Sequence, residues 1–502
     1  MQLRLKPIML ALFVSELVAS PVMAVSNQSL EAKVDQLQNE LSTVKAQVET
    51  NRLLSTENKN KVAEARKIAV AKGGVIGSGA ELPEYLPFDP DVPGQSFVST
   101  GPYVGINISY AGSNLIINSP SVDTDLQLLS IRKKILSRLN DIPGATVISK
   151  DHSHLLFSGV IESQASYMRN GDDHSSSDID LTNVSLDATI FGPTAWILGF
   201  IEFTYNNGTP KQDVFVSTSN FRVGNSRLLV NKAFVTIGDL SQSPFYGTFG
   251  QFYVPFGRYS SVMVSDPLTK ILTRTKARAI QLGYSQQTKN SLYAAGYIFR
   301  GDTHEGSVPK IQNGGVNFGY RFDLGYFHGN VGGGVIANIA DSGGMQAGTG
   351  FQYAERIEHR VPGYNLRALV SLGEHIDFIG EYVGASTRFD PMDMSYNGHG
   401  AKPSAYDLEA SYSFTILDNK PSSIGIGYAK SSQALGLGGV PLTRKSIVFN
   451  TSLMRNTLQS LEFRRDQEYA KHDVATGADN SAVAPQSGRA DTAVTAQFDY
   501  YF

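Results

Sequence analysis

Tyr406-Asp-Leu-Glu-Ala-Ser-Tyr-Ser-Phe-Thr-Ile416 sets an apolar or aromatic residue at every even position and a polar one at every odd position. Successive side chains of a strand point to opposite faces, so one face of this segment meets an apolar medium and the other meets water. The same dyad recurs in Val184, Leu186, Ala188 and Ile190 against Ser185, Asp187 and Thr189, and in Leu366, Ala368, Val370 and Leu372 around Arg367. A soluble sandwich also alternates, but it does not need to end so many strands in Tyr and Phe, as the interfacial girdles of a membrane barrel do. The alternation runs from Leu155 to Phe502 in about sixteen segments, an even number as bacterial barrels need.

Composition agrees with this reading. Of 502 residues 41% are hydrophobic and 10% aromatic, with 48 glycines and 23 tyrosines, which is too polar for a helical membrane protein. Beyond the N-terminus no apolar run reaches about 18 residues, so a membrane crossing has to be made by strands whose backbone groups are paired by closing the sheet. The expected fold is therefore an all-β transmembrane barrel of about 16 antiparallel strands, preceded by an N-terminal periplasmic α-helical coiled coil. The last segment, Val494, Ala496, Phe498, Tyr500 and Phe502, ends on an aromatic residue and resembles the C-terminal signal for insertion into the outer membrane.

The connections orient the barrel. Short ones (Gly192-Pro193, Thr288-Lys289, Asp323-Leu324, Gly373-Glu374, Asp418-Asn419, Arg455-Asn456) alternate with long polar ones (Asn206 to Asn225, Arg258 to Thr275, Ala340 to Pro362, Arg388 to Pro403, Tyr469 to Ala490). Short turns belong on the periplasmic side and long loops outside.

Upstream, residues 1–24 read as a signal peptide. Arg4 and Lys6 precede the apolar run Ile8 to Val14, and Val22-Met23-Ala24 is a small-residue cleavage site. In 25–70 the residues Leu30, Val34, Leu37, Leu41, Val44 and Val48 step by four and three, the seam of a coiled coil, with a trimer as the expected assembly; one amphipathic helix packed on the barrel is the other reading. Residues 71–154 form a linker and a periplasmic helix or lumenal plug, since Leu128, Ile131, Ile135 and Leu139 have helical spacing. The barrel occupies 155–502.

The net charge of −3 argues against nucleic acid as a partner, and the absence of cysteine excludes disulfides and thiolate metal sites. No enzyme is expected, because the nine histidines are scattered and mostly in loops, and nothing calls for a cofactor. Function is expected in the lumen and in any loop that folds into it. The third external loop and its exit carry Arg258, Lys270, Arg274, Lys276 and Arg278. Such a patch at a constriction would attract anions or grip carboxylates, whereas an outward-lying loop would set the same charges on the anionic lipid surface. Asp187, Glu202, Arg367, Asp407, Glu409, Glu462 and Arg464 take lumen parity and are expected to line the pore.

Gly247-Thr-Phe-Gly-Gln-Phe-Tyr-Val-Pro-Phe-Gly-Arg-Tyr-Ser-Ser261, followed by Asp266-Pro-Leu-Thr-Lys270, resembles the LbtU-type siderophore porins, a group that includes the FupA and FslE proteins. The Asn-Ser-Pro-Ser-Val-Asp-Thr-Asp run at 118–125 extends the resemblance over nearly the whole mature chain. It implies uptake of iron across the outer membrane, often as a ferric siderophore, by a barrel without an energised plug domain. The partners so implied are outer-membrane lipid and a small-molecule solute. A general or anion-selective porin and a structural or adhesive barrel are the alternatives.

Overall fold

The computed structural model describes Val98–Thr100, residues 122–130 with Arg132, and the chain from His154 to Phe502 apart from 192–193, 195, 207–226, 307–309, 349–350, 352–355, 418–419, 438–439 and 455. The segments expected to be a signal peptide and a coiled coil, and most of 71–154, lie outside the described residues.

Sixteen strands run in order around one sheet: β1 (His154–Arg169), β2 (Ser175–Phe191), β3 (Ile197–Asn206), β4 (Arg227–Gly238), β5 (Phe245–Tyr253), β6 (Lys276–Ser285), β7 (Ser291–Arg300), β8 (Ile311–Asp323), β9 (Phe327–Ile336), β10 (Gly363–Leu372), β11 (Ile376–Ala385), β12 (Ser404–Ile416), β13 (Lys420–Ser432), β14 (Thr443–Thr451), β15 (Thr457–Gln467) and β16 (Ala490–Tyr501). Each is antiparallel to the next, and β16 returns to β1 with Tyr501 opposite Val160, so the barrel is closed. Closure leaves no sheet edge to be satisfied by lipid, which is the condition for crossing a bilayer with strands. Among the described residues no helix is long and apolar enough to cross a membrane.

The alternation places side chains as the pattern requires. On β12, Leu408 and Tyr412 are exposed on the outer wall, whereas Asp407, Glu409 and Ser411 are buried inside. Ile424, Ile426, Leu461 and Phe463 continue the apolar outer belt on β13 and β15. All the long connections fall at one end of the barrel and the short turns at the other, because antiparallel strands return alternately to the two rims.

The interior is not an empty tube. Residues 124–130 form a helix, α1, seated in the lumen against β4–β6 at the short-turn end. Asp125 accepts hydrogen bonds from Thr248 Oγ1 at 2.6 Å and Gln281 Nε2 at 3.0 Å, and Arg132 donates to the backbone carbonyls of Thr194 and Ile197. Leu126 and Leu129 pack on Leu240 and Tyr246. Val98–Thr100 adds in parallel to Leu155–Phe157 of β1, below the point where β16 stops pairing.

At the long-loop end the barrel holds a packed apolar core. Phe256, Tyr259, Leu268 and Leu272 from the third loop meet Tyr297, Phe299, Ile336 and Val383 of the wall and Ile339, Met345, Phe389 and Met394 of later loops. Ser395–Tyr396, His399–Gly400 and Ala475–Thr476 pair as a small sheet that ties the sixth and eighth loops together.

Candidate functional site: the inward third loop

Residues 254–275, which join β5 to β6, fold into the lumen and cross to the opposite wall. Four carboxylates of that wall hold the loop by its backbone. Glu381 on β11 accepts from Arg258 N and Tyr259 N, both at 2.7 Å. Glu409 on β12 accepts from Ser261 Oγ at 2.6 Å and Val262 N at 2.8 Å. Glu462 on β15 accepts from Val264 N at 2.6 Å and Ser265 N at 3.0 Å. Asp407 on β12 accepts from Leu268 N at 3.1 Å and Thr269 N at 2.9 Å. The last pair caps α2 (Leu268–Thr273), a helix with no capping side chain of its own. Hydrogen bonds to an ionised acceptor are the strong ones, and each carboxylate here takes two.

The loop's sequence explains why its amides can converge. Gly257 has φ +84° and Tyr259 φ +64°, and left-handed residues flanking Arg258 turn consecutive N–H groups toward one anion. A Cβ on Gly257 would lie 2.3 Å from the Tyr259 ring, so only glycine fits. Tyr259 Oη donates to the Phe256 carbonyl and lies 3.1 Å from Thr273 Oγ1, closing the turn over α2. On the far wall Gly425 lets the loop approach: a Cβ there would stand 2.7 Å from Val262 Cγ2. Arg444 on β14 grips Asp466 with two bonds at 2.8 and 3.0 Å and donates to the Asp266 carbonyl at 2.9 Å. From the other side α3 (Gly343–Gly348) of the fifth loop lies on α2, with Gly343 N donating to Arg274 O and Ser342 Oγ to Leu272 O.

The expected basic residues part company. Arg258 is buried in the lumen, where it lines a small pocket with Ser260, Asn330, Arg367 and Glu381. Lys270 pairs with Asp266 at 2.5 Å. The Asp266 carboxyl sits below the usual range: burial alone would raise it, but the ammonium of Lys270, with Arg274 and Arg444, outweighs that. Arg274 stacks over the Tyr253 ring at 4.6 Å. Lys276 and Arg278 correct the expectation: they share the outward face of β6 with Ile280 and Leu282, while Ala279 and Gln281 face inward. Two-residue periodicity, resumed at the first residue of β6, puts them outside. The loop inside the lumen is therefore less basic than the linear sequence implies.

Arg367 spends its donors on Asn365, Asn317 and Tyr293. Asp187 and Glu202 gather around buried Lys232, whose Nζ lies 2.7 Å from Glu202 Oε2. Arg464 reaches Asp466 at 3.2 Å. Asp407, Glu409 and Glu462 have the loop amides as partners and are buried beneath the loop. Sequence reasoning missed Arg444, Asp125 and Lys232 as structural members of the lumen; strict parity on β14, with Lys445 outside, would have placed Arg444 inside.

What the loop leaves uncovered is a strip along β15, β16, β1 and β2. Its partly exposed lumenal side chains include Arg464, Asp466, Asp491, Glu162, Gln164, Asp178 and Asp180. Glu162 interacts electrostatically with Asp266 and Lys270 of the loop, so these groups lie near one another in the lumen.

No family model matches the chain. Among solved structures, the outer membrane channel DcaP of Acinetobacter baumannii aligns with a TM-score of 0.44 at 14% identity, covering 70% of this chain and 99% of that one. The anion-selective porin of Comamonas acidovorans aligns with a TM-score of 0.44 at 10% identity, over 70% of this chain and 100% of the other. Among curated proteins, a UPF0422 protein of Coxiella burnetii is 37% identical over 411 residues, which is 81% of this chain and 84% of the relative. A UPF0422 protein of Legionella pneumophila subsp. pneumophila is 34% identical over 430 residues, covering 81% and 76%. With identity sustained over that much of both chains, this protein belongs to the UPF0422 family.

Proposed function

We propose that this protein is a diffusion channel of a Gram-negative outer membrane, narrowed by its third loop and selective for cationic or uncharged polar solutes. The observation that carries this reading is the acidic lumenal wall beside the loop, where Glu162 and Asp491 add to Asp466, which Arg444 and Arg464 already hold. Rings and rows of carboxylates favour cations in a pore. The anion preference expected from the basic loop loses support, since Lys276 and Arg278 lie outside and Lys270 is paired with Asp266.

Iron is the cargo that the Gly247–Ser261 resemblance implies. The acidic strip then favours a neutral or cationic ferric chelate, such as a hydroxamate complex, over a carboxylate-rich anionic one. The heptad spacing from Leu30 to Val48 supports self-association, and a trimer is the stoichiometry that a barrel of this kind favours. The test is planar-bilayer conductance of the full chain with reversal potentials in a potassium chloride gradient, repeated with a ferric trihydroxamate and its iron-free form. Cation preference with block by the ferric complex alone is the expected result. No conductance would overturn the channel reading, anion preference would overturn its cation selectivity, and indifference to the ferric complex would remove iron while leaving the channel.

A further inference from the structure

We propose that the outer wall of β13–β15 binds the phosphate groups of an outer-leaflet glycolipid through Lys430, Lys445 and Arg465. The inference rests on the outer-membrane placement above and adds a lipid site to it.

Charge is sorted by sign across this barrel wall. Among the described strand residues every carboxylate takes lumen parity, and the outward charges in the long-loop halves of the strands are basic. They cluster as Lys276, Arg278 and Arg300 on β6–β7 and as Lys430, Lys445 and Arg465 on β13–β15, all exposed. The second cluster is the tighter. Lys445 and Arg465 are direct cross-strand partners, which sets like charges about 5 Å apart at Cβ, an arrangement that is destabilising unless an anion offsets it. No salt bridge to Lys430, Lys445 or Arg465 occurs among the described residues.

Height identifies the anion. Lys430 is the cross-strand partner of Tyr406, and Lys445 of Tyr428, and both tyrosine rings lie on the outer wall with centroids 6.1 Å apart. Outward tyrosines mark the boundary between hydrocarbon and head groups. The three cations therefore sit at head-group level on the side of the long loops. The outer leaflet there presents phosphorylated glycolipid, and a phosphate can take charge-assisted bonds from all three side chains at once. Below them Leu408, Ile426, Ile447 and Leu461 offer an apolar wall for acyl chains.

The test uses the full chain in phosphatidylcholine nanodiscs doped with purified bisphosphoryl lipid A, with retained lipid read by native mass spectrometry. The wild type is expected to retain bisphosphoryl lipid A and not its dephosphorylated form. K445Q/R465Q should lower retention about tenfold, the charge-conserving K445R/R465K should restore it, and K402Q, in an exposed loop, should leave it unchanged. Heat-dependent gel mobility confirms that each variant is a folded barrel. Equal retention by K445Q/R465Q, or equal retention of dephosphorylated lipid, overturns the site. Failure of the outer-membrane placement would show separately, as recovery of the chain outside the outer-membrane fraction.

Discussion

Removing two of the carboxylates that hold the third loop should open the barrel. Glu409 and Glu462 each accept two hydrogen bonds from the segment Ser261–Ser265, at 2.6 to 3.0 Å. Hydrogen bonds to charged groups contribute about 1.5–3 kcal/mol each in mutational series. Water entering beside the loop would recover part of that, so a net loss of about 2 kcal/mol per carboxylate is a reasonable figure. The double variant Glu409→Ala, Glu462→Ala then loses about 4 kcal/mol, which raises the ratio of released to seated loop about a thousandfold. Glu381 and Asp407 still hold the ends of the loop at Arg258 and Leu268, so the barrel itself should remain folded. Single-channel recording is the assay. The wild type should show a small, steady conductance, and the double variant a conductance several-fold larger that fluctuates as the loop reseats. A folded double variant whose conductance and noise match the wild type would refute the claim that these carboxylates hold the constriction.

Three further outcomes follow from the same geometry. Lys232→Met strands Glu202 in a buried site and should cost about 3–5 kcal/mol, seen as a lower urea midpoint, with Glu202→Gln in the same chain recovering much of it. Gly425→Val places new atoms against Val262, where a Cβ alone would already stand at 2.7 Å; the loop should lift and become accessible to protease in folded protein, and unchanged resistance would count against the close approach. Asp125 is pushed from 3.8 up to about 6 by burial, so its charged form is the disfavoured one when α1 is seated. The seat of α1 is then firmest below about pH 4 and loosens as pH rises through about 6. Hydrogen exchange at residues 126–130 should accelerate between pH 4 and 7 beyond its intrinsic rate, and Asp125→Asn should abolish that excess.

The barrel was legible because its signal is local and repeated. Each strand carries its own parity, so Leu408 and Asp407 declare their sides without knowledge of any other strand. Strand number, closure and the sidedness of the loops follow from counting such segments and their connections. The contents of the lumen were not legible, because they depend on contacts between residues more than a hundred positions apart. Glu409 and Val262 are one such pair. A buried carboxylate that accepts backbone amides has the same sequence signature as one that lines water, which is why Asp407, Glu409 and Glu462 read as pore lining. The basic loop misled for a different reason. The basic residues from Arg258 to Arg278 straddle the start of β6, and a strand start at Lys276 sends alternate residues through the wall.

The sorting of charge by sign connects these observations. A lumenal carboxylate can be held chiefly by the donors of an inward loop, as Glu409 is by Ser261 Oγ and Val262 N, because N–H and O–H groups supply the positive ends of the bonds. The lysine buried on β4 is instead paired with a carboxylate, Glu202. Acids inside are therefore compatible with an irregular loop crossing the lumen, whereas bases inside are met by groups of the wall, Asp466 at Arg444 and Asn365, Asn317 and Tyr293 at Arg367. On the outer wall the argument reverses. An exposed carboxylate at head-group level would face lipid phosphates, and Lys445 and Arg465 attract them. The same chain thus uses carboxylates to fasten its constriction and ammonium and guanidinium groups to seat itself in lipid, and exchanging the signs at these positions would disable both.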